Sequence, residues 1–157
     1  KDIYDKDLVA LVDNEVTLND EKIKLINLEV NCGSTRNPKI AVKIDYNGKI
    51  IEREESGNGP VDSIFKAINS VIQNNAKLEL FQIHAVTKGT DAQAEVTVRL
   101  NEDGISVNGL ASDTDTMVAS AKAYINAMNK LILKRKRAND SKSVFQTSNE
   151  KLNKHVI

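Results

Sequence analysis

An offset of 56 residues maps this chain onto itself, and that offset limits the possible folds more than any other feature. Gly48 lands on Gly104, and each of the two follows a turn former, as Asn47-Gly48 and Asp103-Gly104. These dipeptides are the strongest short signal for a two-residue hairpin. The same step carries Val42 to Val98, Ile44 to Leu100, Val61 to Met117, Ala67 to Ala123, Ile68 to Tyr124 and Ile72 to Met128. Earlier in each half it carries Val30 to Val86 and Gly33 to Gly89. A single step that superposes turns, strand faces and helix stripes without a gap reads as an internal duplication.

Each repeat has the same order of patterns. Ile23, Leu25, Leu28 and Val30 alternate with Lys24, Asn27, Glu29 and Asn31, which predicts a half-buried strand with one irregularity at Ile26. After a loop over 33–38, Ile40, Val42, Ile44 and Tyr46 predict a second strand, and residues 49–55 return as a third. Val61, Ile64, Phe65, Ile68, Val71 and Ile72 then recur at helical spacing. Beyond Asn74-Asn75 the order repeats, with a strand over 77–86, a loop over 87–91, strands around Val96 to Leu100 and Ile105 to Val107, and a helical stripe from Met117 to Ile132. A three-stranded sheet with one apolar face needs a helix to cover it, so the fold class is α+β, two βββα units over 22–76 and 77–133 with pseudo-two-fold symmetry. Residues 1–21 read as a linker helix and polar connector. Residues 134–157 read as a basic helix end, Lys134-Arg135-Lys136-Arg137, and a mobile or weakly helical tail.

The two helix starts are the candidate functional features. Gly57-Asn58-Gly59-Pro60-Val61-Asp62 places little side-chain bulk around the first turn, and Pro60 suits the first helical position. Free N–H groups at such a start can hold a phosphate or a carboxylate. In the repeat register Asn58 and Gly59 correspond to Thr114 and Asp115, where Thr114 is a competent N-cap. Two starts facing each other across the pseudo-axis would build one pocket from both units. Ordinary loop-to-helix junctions are the competing reading.

Composition narrows the function by exclusion. With 22 basic and 22 acidic residues, no global field points to nucleic acid or membrane. The basic run has no interleaved aromatic residues for base stacking, and no apolar run is long enough to span a bilayer. The single cysteine, Cys32, cannot close an internal disulfide, which fits a reducing cytoplasm, and it reads as a small packed residue. His84 and His155 lack metal-ligand spacing, and His84 reads as a structural or edge residue. No nucleophile, carboxylate pair or phosphate loop stands out, so no catalytic centre is expected. The charged opening at Lys1 has no signal-peptide core, and the chain is expected to be a piece of a longer protein.

Three motifs in order carry a family resemblance: Gly57-Asn58-Gly59-Pro60-Val61-Asp62, Gly89-Thr90-Asp91-Ala92 leading into Glu95-Val96-Thr97-Val98, and Ser112-Asp113-Thr114-Asp115 followed by Val118 to Ala127. Over residues 22–133 the chain resembles the C-terminal regulatory domain of the 2-isopropylmalate synthases and the related citramalate synthases. Residues 1–12 resemble the end of the linker before it. The resemblance implies a duplicated, dimerising domain that binds leucine as feedback inhibitor and carries no catalytic site or cofactor of its own. It also implies an N-terminal barrel in the same chain, with a divalent metal, that condenses acetyl-CoA with 2-oxoisovalerate. Carried over residue by residue, the implied leucine site is Asn58, Gly59, Pro60, Val61 and Ile64 at the first helix, Thr90, Asp91 and Ala92 in the loop, and Thr114 and Asp115 at the second helix. Helix-start N–H groups would take the carboxylate, Asp91 or Asp115 the ammonium group, and Val61, Ile64 and Ala92 the branched tail.

Two positions depart from the family pattern. Ala94 and Val107 stand where glycine is usual, and either would narrow the pocket. Two alternatives therefore stay open: an isoleucine-binding citramalate synthase version, and a dimerisation module that has lost its ligand.

Overall fold

The computed structural model describes residues 22–33, 36–88 and 91–155. The expected linker over 1–21 lies outside them. Among the described residues, six strands and two helices follow in the order β1 (Ile23–Gly33), β2 (Arg36–Tyr46), β3 (Lys49–Ser56), α1 (Pro60–Asn69), β4 (Lys77–Lys88), β5 (Asp91–Glu102), β6 (Ile105–Asp113) and α2 (Thr116–His155). They form two antiparallel sheets, β1-β2-β3 and β4-β5-β6, each followed by its helix. This is the duplicated βββα arrangement that the alternation and hairpin signals predict. Both hairpin turns take the positive φ that Asn-Gly and Asp-Gly favour, 54° and 84° at Asn47 and Gly48, 51° and 85° at Asp103 and Gly104.

The alternating residues of the central strands make the core. Ile40, Val42 and Ile44 of β2 and Val96, Val98 and Leu100 of β5 are buried beneath Ile64, Phe65, Ile68, Tyr124, Met128 and Leu131. Helix α1 packs on β2 and β3, and α2 packs on β5, β6 and β1. The helices meet where the Phe65 and Tyr124 rings stack with centroids 4.5 Å apart. Burial pushes the Tyr124 hydroxyl up to about 12, so the ring packs as a neutral group.

The 56-residue step holds from β2 to the first helix but fails in the first strand. Leu28 faces Val42, whereas Val98, the counterpart of Val42, faces Phe81, 53 residues after Leu28. The bulges agree with the shorter step, at Leu25/Asn27 in β1 and Leu78/Leu80 in β4. The counterpart of Val30 is therefore Ile83, which faces Val96, while Val86 pairs with Gln93 on the opposite side of the sheet. Matching Gly33 to Gly89 aligned two loop glycines across hairpins of unequal length. Because side chains alternate, an odd slip of three inverts the face.

Other expectations also need correction. The stripe through Ile72 overran α1, which ends at Asn69 with Ser70 as C-cap, although Val71 and Ile72 still pack on the core. Asn74 shapes the exit instead. Its Nδ2 donates to the carbonyl of Ile72 at 2.7 Å and its Oδ1 accepts from Ala76 N–H at 2.9 Å. The second helix does not end near Leu133 but continues to His155. The basic run is thus not a helix end: Lys134 Nζ donates to the carbonyl of Ser106 at 3.1 Å, and Arg135 grips the carboxylate of Glu102 through two nitrogens. Cys32 is exposed near the end of β1 rather than packed. His84 is exposed on β4, an edge strand.

Candidate functional site

The first helix start is built by Gly57 and left open by Gly59. A Cβ at Gly57 would lie 2.7 Å from Asp62 Oδ2 and 2.8 Å from Ser63 Oγ, so a side chain there would have to push both of these side chains aside. Gly59 is the N-cap with φ −157°, extended backbone that any residue adopts, and no side chain caps this end. Ser63 N–H and Oγ both donate to the carbonyl of Gly59, at 3.0 and 2.8 Å. Pro60 has no N–H to offer. The N–H groups of Val61 and Asp62 therefore form the open end of the helix dipole.

The second helix start differs in that its N–H groups are capped. Asp115, not Thr114, is its N-cap: Ala119 N–H donates to the Asp115 carbonyl at 2.9 Å, and Asp115 Oδ1 accepts from Met117 N–H at 2.8 Å and Val118 N–H at 3.4 Å. Asp113 Oδ1 accepts from Asp115 N–H at 2.9 Å, and Lys122 Nζ reaches Asp113 Oδ2 at 3.0 Å. The Asp115 N–H, then Lys122, hold the Asp113 carboxyl below the usual carboxylate range. The α1 start thus leaves its N–H groups open beside one carboxylate, Asp62, which pairs with Lys66 Nζ at 3.3 Å, whereas at the α2 start the Asp115 carboxylate occupies the N–H groups. Asp115→Ala should cost about 1 kcal/mol, the usual worth of an N-cap, in a thermal melt of the domain.

The ten site residues fall into two groups. Asn58, Gly59, Pro60 and Val61 are contiguous at the α1 start, with Asn58 exposed and the others half-buried. Ile64 is one turn on but fully buried, so it belongs to the core rather than to an open pocket wall. Asp91 and Ala92 open β5, and Thr90 lies outside the described residues. Ala94 pairs with Asp113, which brings the β5 start and the Thr114-Asp115 helix start to the same end of the second sheet. Among the described residues no hydrogen bond or ion pair joins this second group to the α1 start. Val107, one of the two departures, is buried on β6 opposite Leu100, within the core.

Two features had no sequence signal that singled them out. A cavity of about 410 Å³ lies between β1, β6 and α2, lined by Ile23, Leu25, Leu110, Ile125, Asn126 and Asn129 among others and by none of the ten candidates. Inside that junction the buried Asn129 acts as a strand partner for β1. Its Oδ1 accepts from Ile23 N–H at 2.9 Å and its Nδ2 donates to the Ile23 carbonyl at 2.9 Å, tying the two units together. Among the described residues no three His, Cys, Asp or Glu gather as metal ligands, and no helix is long and apolar enough to cross a membrane.

Comparison with known proteins agrees with this architecture. The chain is 52% identical over 137 residues to the 2-isopropylmalate synthase of Bradyrhizobium diazoefficiens and, over the same length, 52% identical to that of Rhodopseudomonas palustris strain BisA53. It is 50% identical to that of Afipia carboxidovorans. Each match takes in 87% of this chain and 26% of the relative, so the chain spans about a quarter of the length of these proteins. The LeuA allosteric (dimerisation) domain matches residues 2–132, and with its paired βββα units this chain belongs to that family.

Proposed function

We propose that this chain is the leucine-sensing and dimerising module of a cytoplasmic 2-isopropylmalate synthase, and that it has no catalytic site of its own. The observation that carries the reading is that the α1 start leaves its N–H groups uncapped while the α2 start is capped by the Asp115 carboxylate. Open N–H groups at Val61 and Asp62 suit a carboxylate, and Asp115, with Asp91 at the start of β5, suits an ammonium group. An α-amino acid has both charges, and a branched aliphatic tail suits the apolar surface of Val61 and Ala92. In the full-length protein, a preceding barrel with its divalent metal performs the acetyl transfer from acetyl-CoA to 2-oxoisovalerate. Leucine inhibits by binding one arrangement of the dimer better than another.

Calorimetric titration of the 157-residue chain with leucine, isoleucine and valine tests this. Leucine should give the tightest binding. Isoleucine as the tightest ligand would indicate the citramalate synthase version, and no heat at millimolar concentration from any of the three would leave a ligand-free dimerisation module. Gly59→Asp sharpens the test, because a Cβ at Gly59 meets nothing within 4 Å and aspartate is a good N-cap. The variant should fold at least as stably as the parent and lose leucine binding, since the new carboxylate occupies the N–H groups and repels the ligand. Retained affinity would remove the α1 start from the site.

A further inference from the structure

Two three-stranded sheets leave four strand edges, and three of them are guarded. The β6 edge is covered by α2. Leu110 N–H donates to Asn126 Oδ1 at 3.2 Å, and Lys130 and Lys134 donate through Nζ to the carbonyls of Asn108 and Ser106 at 2.6 and 3.1 Å. The strand groups alternate and the helix residues recur every four, so one helix face satisfies one strand edge. The β1 edge is broken near both ends, by register shifts at Leu25/Asn27 and Asn31/Gly33, and held at its first residue by Asn129. The β3 strand carries Glu52, Arg53, Glu54 and Glu55, charges that discourage pairing.

The β4 edge shares only the bulge near its start, at Leu78/Leu80, and its charged residues, Lys77, Glu79 and Lys88, lie toward its two ends. Over Lys77–Lys88 it contains no proline, and among the described residues no helix side chain caps its backbone. Its inward face is also only partly covered. Leu78 and Ile83 are each 47% exposed although they sit opposite the buried Leu100 and Val96. The cause is the length of α1: ten residues suffice for β2 and β3, and it touches β4 through Phe65, edge-on to Phe81 at 5.6 Å. The longer α2 covers the equivalent strand, β1, where Ile23 is 1% exposed. A long, unguarded edge beside an apolar stripe is a template for another strand.

We propose that β4 is the surface on which a second copy of this chain docks, with the two β4 strands pairing antiparallel so that the sheets join into one of six strands. The inference rests on the dimerisation reading and adds the surface. A two-fold axis through Gln82 places Phe81 against Ile83 of the partner subunit, and no charged residue then opposes a like charge. The contact is self-complementary and closes at two copies.

Sedimentation equilibrium of the 157-residue chain tests it. Ile83→Lys puts a charge into the stripe of both copies and should raise the dimer dissociation constant about 100-fold, while Ile50→Lys, at an equally exposed site on β3, should change it less than about threefold. As a second measurement on the unmodified chain, amide exchange over residues 77–88 should speed up on dilution through the dissociation constant. A folded Ile83→Lys variant with unchanged dimerisation, or β4 exchange indifferent to dilution, would overturn the surface and leave the dimerisation reading intact. A chain that is monomeric at every concentration would overturn both, and an open series of larger oligomers would overturn the two-fold pairing.

Discussion

Gly109→Val should leave the second βββα unit unable to seat its helix. Gly109 faces the core from β6, where a Cβ would lie 2.1 Å from the Ala123 carbonyl oxygen, 2.7 Å from Ala127 N and 2.8 Å from Ala127 Cβ. Two of those three atoms are backbone, so no side-chain rotation relieves the clash. The helix face above is made of Ala119, Ser120, Ala123 and Ala127, all fully buried, and this run of small residues lets α2 lie directly on the strand. Lifting the helix by the necessary ångström would also pull Lys130 and Lys134 from the β6 carbonyls. The expected cost for Gly109→Ala is about 3 kcal/mol, at the upper end for overpacking, and more for valine. That is a large part of a total stability of about 5–15 kcal/mol. Urea unfolding measures it, with Gly59→Ala as the control because nothing stands within 4 Å of its Cβ. A Gly109→Val variant as stable as that control would show that the close approach is not needed.

Arg135→Ala should cost about 2–3 kcal/mol at neutral pH, because it strands a buried carboxylate. Glu102 is 4% exposed at the end of β5. It accepts from Arg135 Nε and Nη2 and from Asn75 N–H, the last at 3.0 Å, and so joins the linker between the units to α2. Burial pushes the Glu102 carboxyl up, but Arg135 and the Asn75 N–H together hold it below its usual value. A carboxyl with a depressed folded pKa stabilises the fold above its unfolded pKa of about 4.3, and that stability is lost as pH falls through the folded value. Without the guanidinium, burial dominates, and the variant takes up a proton more readily. The stability gap between parent and variant should therefore be full at pH 7 and shrink as pH falls from the variant's raised value to the parent's lowered one. Thermal unfolding between pH 3 and 7 reads it out, and a gap constant across that range would mean that Arg135 acts by packing alone.

The legible parts of the fold were the local ones. Asn47-Gly48 and Asp103-Gly104 announced hairpins because φ above zero is a demand on single residues. The alternation of Ile40, Val42 and Ile44 announced a strand with one covered face. At the site, the open α1 start was legible from Gly57, Gly59 and Pro60, but the roles within it were not. Gly57 has no positive φ, and a Cβ there meets the tips of Asp62 and Ser63, while Gly59 is an N-cap with nothing within 4 Å of its Cβ. Thr114 and Asp115 both suit an N-cap by type, and the hydrogen bonds of Asp115 decide between them. Ile64 read as a pocket residue from its spacing, and its burial places it in the core.

By itself the sequence determined the duplication, the α+β class and the hairpin turns. All of these depend on residue type and spacing along the chain. Tertiary structure alone decided the 53-residue step of the first strand, since register belongs to the partner strand and the sequence shows only one side of it. It also decided that Asn129 ties β1 to the second unit, that α2 lies directly against Gly109 and that Arg135 pairs with Glu102. Each is a contact between residues more than ten positions apart, where chain proximity carries no information and packing sets the partner. The unguarded β4 edge belongs to the same class: it is visible only once the other three edges are seen to be closed.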